Sequence, residues 1–236
     1  GVVPARLPNK NLRWESTEEI NLGLDFELLR GRITGSVDAY KRNTMDQLFS
    51  KPISSVVGFS NYMVNFGNVE NRGIDFQLNS KNIIRDQWQW NSLFNVALLK
   101  NEVKELPDFI PQLITGSIAS FISNYQLVER GQPMLSFYGY ETEGIFQNDA
   151  EIKNSAQPEA KPGHIRFKDQ NQDGKIDLKD RTILGKPFPS INLSFSNTFK
   201  YKNVSLDFLL QYVGGISMLD ANITETLYPT SDGLGT

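Results

Sequence analysis

Residues 191–212 read "INLSFSNTFKYKNVSLDFLLQY". Ile191, Leu193, Phe195 and Phe199 fall on one parity, and Asn192, Ser194, Ser196 and Thr198 on the other. After Tyr201-Lys202-Asn203 the alternation resumes with Val204, Leu206, Phe208, Leu210 and Tyr212. A period of two gives an extended chain one apolar and one polar face, and the short polar break marks a hairpin turn. Each arm runs for about 9–12 residues. A soluble strand is typically about 5–6 residues long, whereas a tilted strand needs about 9–11 to cross a bilayer.

The same pattern recurs along the chain. Ile20, Leu22, Leu24, Phe26 and Leu28 alternate with Asn21, Gly23, Asp25 and Glu27. Ile74, Phe76 and Leu78 alternate with Asp75, Gln77 and Asn79. Trp88, Trp90, Phe94, Val96 and Leu98 oppose Gln87, Gln89, Asn91 and Asn95. Short turns at Arg30-Gly31, between Asn79 and Gln87, and at 201–203 alternate with long segments at 42–61, 99–126 and 141–190. Short turns on one side and long loops on the other are the habit of outer-membrane barrels. Trp14, Trp88, Trp90, Tyr201 and Tyr212 fall at or near strand ends, where a membrane interface holds amphipathic rings. The expected fold is all-β, part of a large antiparallel transmembrane β-barrel with long extracellular loops. A secreted, soluble β-sandwich or adhesin is the alternative.

Composition narrows the function. The chain has 236 residues and a net charge of -3, with no basic stripe for nucleic acid. It has no cysteine, so no disulfide or thiolate metal site, and a single histidine, His164, which reads as a loop residue. No run of about 20 apolar residues occurs, which excludes a transmembrane helix but not barrel strands. The N-terminus lacks a signal pattern, which reads as a removed signal or an internal piece, and the C-terminal segment reads as a loop, so a fragment is expected. Asp25, Glu27, Asp75, Gln77 and Asn91 lie on the polar parity and are candidates to face the lumen, with plug contact or plain hydration as the alternative. Arg130-Gly131-Gln132-Pro133 reads as a turn.

One stretch stands apart: "DQNQDGKIDLKD", residues 169–180. Asp169, Asn171 and Asp173 match positions 1, 3 and 5 of a calcium loop, with Gly174 at the sharp turn. Lys175 offers its carbonyl at position 7, Asp177 stands at 9 and Asp180 at 12, where a Glu is usual. Ca²⁺ is one reading, and an Asx-rich turn bonded to its own backbone is the other. Catalysis is not expected. The aspartates crowd one loop instead of opposing each other across a cleft, as glycosidase carboxylates do, and no nucleophile or base accompanies them.

Several stretches together resemble the SusC/RagA family of TonB-dependent outer-membrane receptors of Bacteroidetes. They are "NLRWESTEEINLGLDFELLRGRITGSVDAYKRNTMDQLF" (11–49), "NFGNVENRGIDFQLNSK" (65–81), "VERGQPMLSFYGYETEGIFQ" (128–147) and the region 162–215 that opens with "PGHIRFKDQ". The resemblance implies a 22-stranded barrel with an N-terminal plug, of which residues 1–236 are part, the plug and final strands being absent. It implies a location in a Gram-negative outer membrane, surrounded by its lipid, and a transport role with no enzyme activity. The cargo would be an oligosaccharide or peptide. Energy would come from TonB through a segment not in this chain, and a SusD-like lipoprotein would cap the barrel. By loop-length parity, segment 141–190 is expected outside the cell.

Overall fold

The computed structural model describes residues 7–53, 58–59, 61–65, 67–118 and 122–221. Among them fourteen strands follow in chain order. The first seven are β1 (Ser16–Leu28), β2 (Ile33–Met45), β3 (Leu48–Pro52), β4 (Asn61–Asn65), β5 (Asn68–Ile84), β6 (Trp88–Glu105) and β7 (Gln112–Ile118). The rest are β8 (Ile122–Glu129), β9 (Ser136–Tyr140), β10 (Thr142–Ile145), β11 (Ile165–Phe167), β12 (Arg181–Gly185), β13 (Ile191–Tyr201) and β14 (Val204–Gly214). One short helix, α1 (Asp149–Lys153), and a 3₁₀ turn at Leu178–Asp180 complete the elements.

The chain divides into two units. The first holds a six-stranded antiparallel sheet in the order β1-β2-β5-β6-β13-β14. Its alternating sequence sets its register. Across the sheet Leu24, Val37, Phe76, Val96, Leu193 and Tyr212 stand in one row, and Asp25, Ser36, Gln77, Asn95, Ser194 and Gln211 in the next. Strands alternate faces with period two, so each row belongs wholly to one face. Among the described residues β1 and β14 each pair with a single neighbour, so the sheet is an open arc of the expected barrel.

The apolar face is uncovered. Ile74, Leu98 and Phe195, on the inner strands, are 47%, 44% and 37% exposed. A sandwich would bury these positions against a second sheet. The buried apolar side chains of this unit, Val64, Val69, Val103 and Ile110, cluster instead at the end of the sheet away from the short turns. Two glycines in the sheet are roofed by aromatic rings. A Cβ on Gly35 would come within 2.5 Å of the Phe26 ring, and one on Gly73 within 2.7 Å of Tyr40. Each ring fills the space its cross-strand glycine leaves empty.

Two expectations need correction. The turn expected between Asn79 and Gln87 occupies only residues 85–87, because β5 runs on to Ile84 past a bulge between Lys81 and Ile83. The segments 42–61, 99–126 and 141–190 are not plain loops. β2 continues to Met45 and β6 to Glu105, β3, β7, β10, β11 and β12 lie within them, and β4 and β8 begin there. The ladders persist there while the sequence loses its apolar alternation, so the pattern falls silent before the strands end.

The second unit is built on the sheet β12-β9-β8-β7 and the antiparallel pair β10–β11. Leu127, Val128, Phe146 and Ile152 form its buried core. The Arg181 guanidinium donates to the carbonyls of Asn124 and Tyr138 and lies 4.4 Å above the Tyr138 ring centre, tying β12 to β9 and to the β8 strand.

Candidate functional site

The polar face of the six-stranded sheet is the first candidate. Asp25, Glu27, Asp75, Gln77 and Asn91 all lie on it, by the register that places Asp25 opposite Ser36 and Asn91 opposite Lys81 and Thr198. Asp75 and Gln77 join Ser36, Asp38, Asn95 and Ser194 around a concavity of about 520 Å³. Asp25, Glu27 and Asn91 are on the same face but outside that concavity. Asp38 sits directly across from Asp75, a like-charge pair that solvation or a cation must offset. Higher up, Glu19 pairs with Arg42 at 2.7 Å. Its polar lining is carboxylate, amide and hydroxyl, with Phe76, Val96, Leu193 and Val213 contributing apolar surface, so it can hydrogen-bond a polar solute.

The apolar face has a bottom, a middle and a top. Near the short turns Trp88 lies 4.9 Å from Tyr201, and Trp90 stacks on Phe199 at 5.3 Å. Six successive rows, from Trp88–Tyr201 up to Ile74–Leu98–Ile191, make the band. Five steps of two residues at about 3.3 Å each span about 33 Å along the strands, or about 25 Å of height at the usual tilt of roughly 40°. That is the height of a lipid-facing band in an outer-membrane barrel.

Above the band the same face turns to charge. Lys41, Arg72 and Lys100 form one cross-strand row, and Glu70 and Glu102 lie in the next. Lys41 reaches Glu70 at 2.8 Å, Lys100 reaches Glu102 at 2.8 Å, and Lys104 contacts both carboxylates. Hydrogen bonds from Lys100 and then Lys104 push Glu102 down to about 2. Hydrogen bonding from Lys41, against the opposing effect of burial, lowers Glu70 as well. The contribution of Glu102 to stability is therefore present above its ordinary 4.5 and is lost as pH falls from there to about 2.

One row inside the band is polar. Asn82 Nδ2 donates to Ser92 Oγ at 2.7 Å, Ser92 Oγ donates to Asn197 Oδ1 at 2.7 Å, and Trp90 Nε1 donates to the same oxygen at 2.8 Å. Ser80 Oγ donates to Asn82 Oδ1, and the bulge in β5 brings Asn82 into the row. Asn197 is 2% exposed, and among the described residues its Nδ2 has no hydrogen-bond partner. The sequence reading missed this row and the charged collar. Their only trace in the sequence is Ser80, Ser92 and Asn197 standing on the apolar parity, and Arg72 and Lys100 continuing it.

The acidic loop is the second candidate and belongs to the second unit. Asp169 Oδ1 and Oδ2 accept from the amides of Asp173 and Gly174 at 3.2 and 2.8 Å. Asn171 Oδ1 accepts from the Asp173 amide, Asp173 Oδ1 from that of Lys175, and Asp177 Oδ1 from that of Lys179. Gln172 and Gly174 have φ of 60° and 81°, which curl the loop tightly. Asp180 is fully buried and spans the loop, accepting from the Asp177 amide at 2.7 Å and the Gln170 amide at 2.9 Å. These backbone donors, the Asp177 amide first, hold its carboxyl below the usual aspartate range. Its contribution is present above about 3.9 and is lost as pH falls through the lowered value. Glu141 anchors the loop's entry by accepting from Gln170 and pairing with Lys168, and both lower its pKa.

Among the described residues no three acidic or histidine side chains converge on one metal-binding point. The donor chemistry still suits Ca²⁺, since a carboxylate offers about four acceptor positions and each here uses one or two on amides. His164 lies in the loop before β11, where its carbonyl accepts from the Phe146 amide. Residues 130–133 form the expected turn, with Gly131 at φ 84°.

Three comparisons bear on this geometry. Residues 2–127 match the profile of the family described as TonB-dependent receptor-like, β-barrel. The chain is similar to TonB-dependent receptor P3 of Formosa agariphila, 34% identical over 95% of this chain and 23% of the relative. It is similar to SusC of Bacteroides thetaiotaomicron, 33% identical over 86% of this chain and 20% of the relative. The chain thus spans less than a quarter of the length of these relatives. A solved structure of the RagAB peptide transporter shares its fold, with TM-score 0.75 and 23% identity over 96% of this chain and 24% of that one.

Proposed function

This chain belongs to the TonB-dependent receptor-like β-barrel family, and on that premise we propose that it forms part of the wall of an outer-membrane importer. The observation that carries the reading is the two-faced sheet. Its apolar band is uncovered, about as tall as a bilayer's hydrocarbon core, and backed by a continuous polar face. Asp25, Glu27, Asp75, Gln77 and Asn91 then look into the lumen along the solute's path. The cargo is an oligosaccharide or a peptide, the peptide being supported by the RagAB structure, which is described as a peptide transporter. A SusD-like lipoprotein caps the outer mouth, and TonB supplies energy through a segment outside residues 1–236. The role is binding and transport, not catalysis.

The test is made on the whole protein in its native membrane. The expected result is a detergent-dependent, heat-modifiable band in the outer-membrane fraction, co-purification of a SusD-like lipoprotein, and loss of uptake of one labelled glycan or peptide class on gene deletion. Recovery as a soluble monomer without a heat-dependent shift overturns the barrel reading. Unchanged uptake of every class overturns the import reading.

Calcium in the loop at 169–180 is proposed on the order of its donors, Asp169, Asn171, Asp173, Lys175, Asp177 and Asp180. With millimolar Ca²⁺ the wild-type loop is expected to resist protease about tenfold longer than in chelator, and Asp169→Ala and Asp173→Ala are expected to abolish the difference. Equal protection with and without Ca²⁺ leaves a hydrogen-bonded turn. In that case Asp180→Ala, which unties Gln170 and Asp177, opens the loop while Asp173→Ala does little.

A further inference from the structure

At the top of the apolar band the face carries a groove of about 270 Å³. Ile74 and Leu98 form its apolar floor, Arg72 and Lys100 its upper rim, and Ser190 its side. The register places it between two rows, Ala39–Ile74–Leu98–Ile191 below and Lys41–Arg72–Lys100 above. The rim is accessible: the side chains of Lys41, Arg72 and Lys100 are 52%, 52% and 55% exposed. Its charge is only partly neutralised. Lys41, Arg72, Lys100 and Lys104 face two carboxylates, Glu70 and Glu102, a surplus of two positive charges. Arg72 is the least engaged, with its Nη1 4.0 Å from Glu70. Glu18, on the same face, is separated from Glu70 by Asn43 in the register.

We propose that this groove holds a phosphorylated membrane lipid, its phosphate against Arg72 and Lys100 and the start of its chains on Ile74 and Leu98. The proposal rests on the reading above that the apolar face meets lipid. An apolar floor beneath two half-exposed cations fits an anionic amphiphile, and the planar guanidinium of Arg72 suits a phosphate with two hydrogen bonds. The site stands where a head group would lie, one row above the last apolar row. Basic side chains at such a level attract anionic lipid.

The test uses the whole protein purified in neutral detergent and titrated separately with dioleoyl phosphatidylglycerol and with dioleoyl phosphatidylcholine, binding being read by native mass spectrometry. The wild type is expected to retain phosphatidylglycerol preferentially. The double variant Arg72→Gln/Lys100→Gln is expected to weaken that retention about thirtyfold and to leave phosphatidylcholine unchanged. Lys200→Gln, on the polar face, is expected to change neither. The charge-keeping variant Arg72→Lys/Lys100→Arg retains the lipid, which guards against loss through misfolding. Equal retention by wild type and double variant, or equal loss of both lipids, overturns the proposal. Displacement by millimolar inorganic phosphate alone reassigns the site to a free anion and overturns the lipid reading. All variants are checked for the heat-modifiable band: its absence from the wild type sinks the barrel reading itself, whereas a normal band without lipid preference sinks only this inference.

Discussion

Phe94→Arg is expected to destabilise the protein in a bilayer by about 2–4 kcal/mol, the depth-dependent penalty for Arg near the midplane of a barrel wall. Phe94 stands in the fourth of the band's six rows counted from the short turns, between Leu78 and Phe195 in the register. It makes edge-on contacts with Phe76 and Phe195, each with ring centres 6.4 Å apart, so the substitution also removes two aromatic pairs. The adjacent change Asn95→Arg places the same charge on the polar face and is expected to lie within about 0.5 kcal/mol of wild type. Leu98→Arg, in the top apolar row, is expected to cost only about 0–1 kcal/mol from its charge, because its side chain reaches the interface. Urea unfolding of the protein in vesicles reads all three. Equal losses for Phe94→Arg and Asn95→Arg would show that the two faces have been assigned wrongly.

The parity of Ile20 to Leu28, of Trp88 to Leu98 and of the hairpin from Ile191 to Tyr212 was enough to find the sheet, its two faces and the turns at 29–32 and 202–203, while the turn at 85–87 is shorter than expected. Two kinds of feature escaped. The first is strand that continues beyond the apolar band. Arg72, Lys100 and Glu102 keep the ladder but not the hydropathy, and only hydrogen bonding reveals them as strand. Short strands such as Ser136–Tyr140 and Arg181–Gly185 are held by cross-strand partners distant in sequence, which no local pattern records. The second is the use made of a residue type. The spacing of Asp169 to Asp180 is the same for a calcium loop and for an Asx turn. Only the burial of Asp180 and its two amide donors show which groups hold the loop closed.

Gly67→Ala, one residue before β5, is expected to be a severely damaging single methyl. Gly67 has φ 125°, a conformation that side-chain-bearing residues rarely adopt, at a backbone cost of about 1–3 kcal/mol. A Cβ there would also lie 2.0 Å from the Glu105 carbonyl oxygen and 2.8 Å from its carbon. Backbone cannot swing aside as a side chain can, so β5 and β6 must part at the Asn68–Glu105 pair. That movement breaks the bond from Asn68 Nδ2 to Glu105 and the contact of the Gln47 amide with the Gly67 carbonyl. Gly131→Ala provides the comparison. Its φ is 84° but no heavy atom lies within 4 Å of the added Cβ, so it carries the conformational cost alone. The urea midpoint is expected to fall clearly further for Gly67→Ala than for Gly131→Ala. Equal falls would mean that the clash is relieved without separating the strands.

The polar row of Ser80, Ser92 and Asn197 has a consequence for the stagger of the strands. Parity penalises a strand that slips by one residue, since every side chain then changes face. It is blind to a slip of two, which preserves both faces but alters the stagger of the strands. In a closed barrel stagger and strand number together fix the diameter. If β13 slipped by two against β6, Asn197 would oppose Trp90 or Phe94 in place of Ser92 and surrender its bond to the Ser92 hydroxyl. Polar atoms stranded against hydrocarbon cost several kcal/mol. Asn197 thus serves as a registration mark, holding β13 to one stagger against β6.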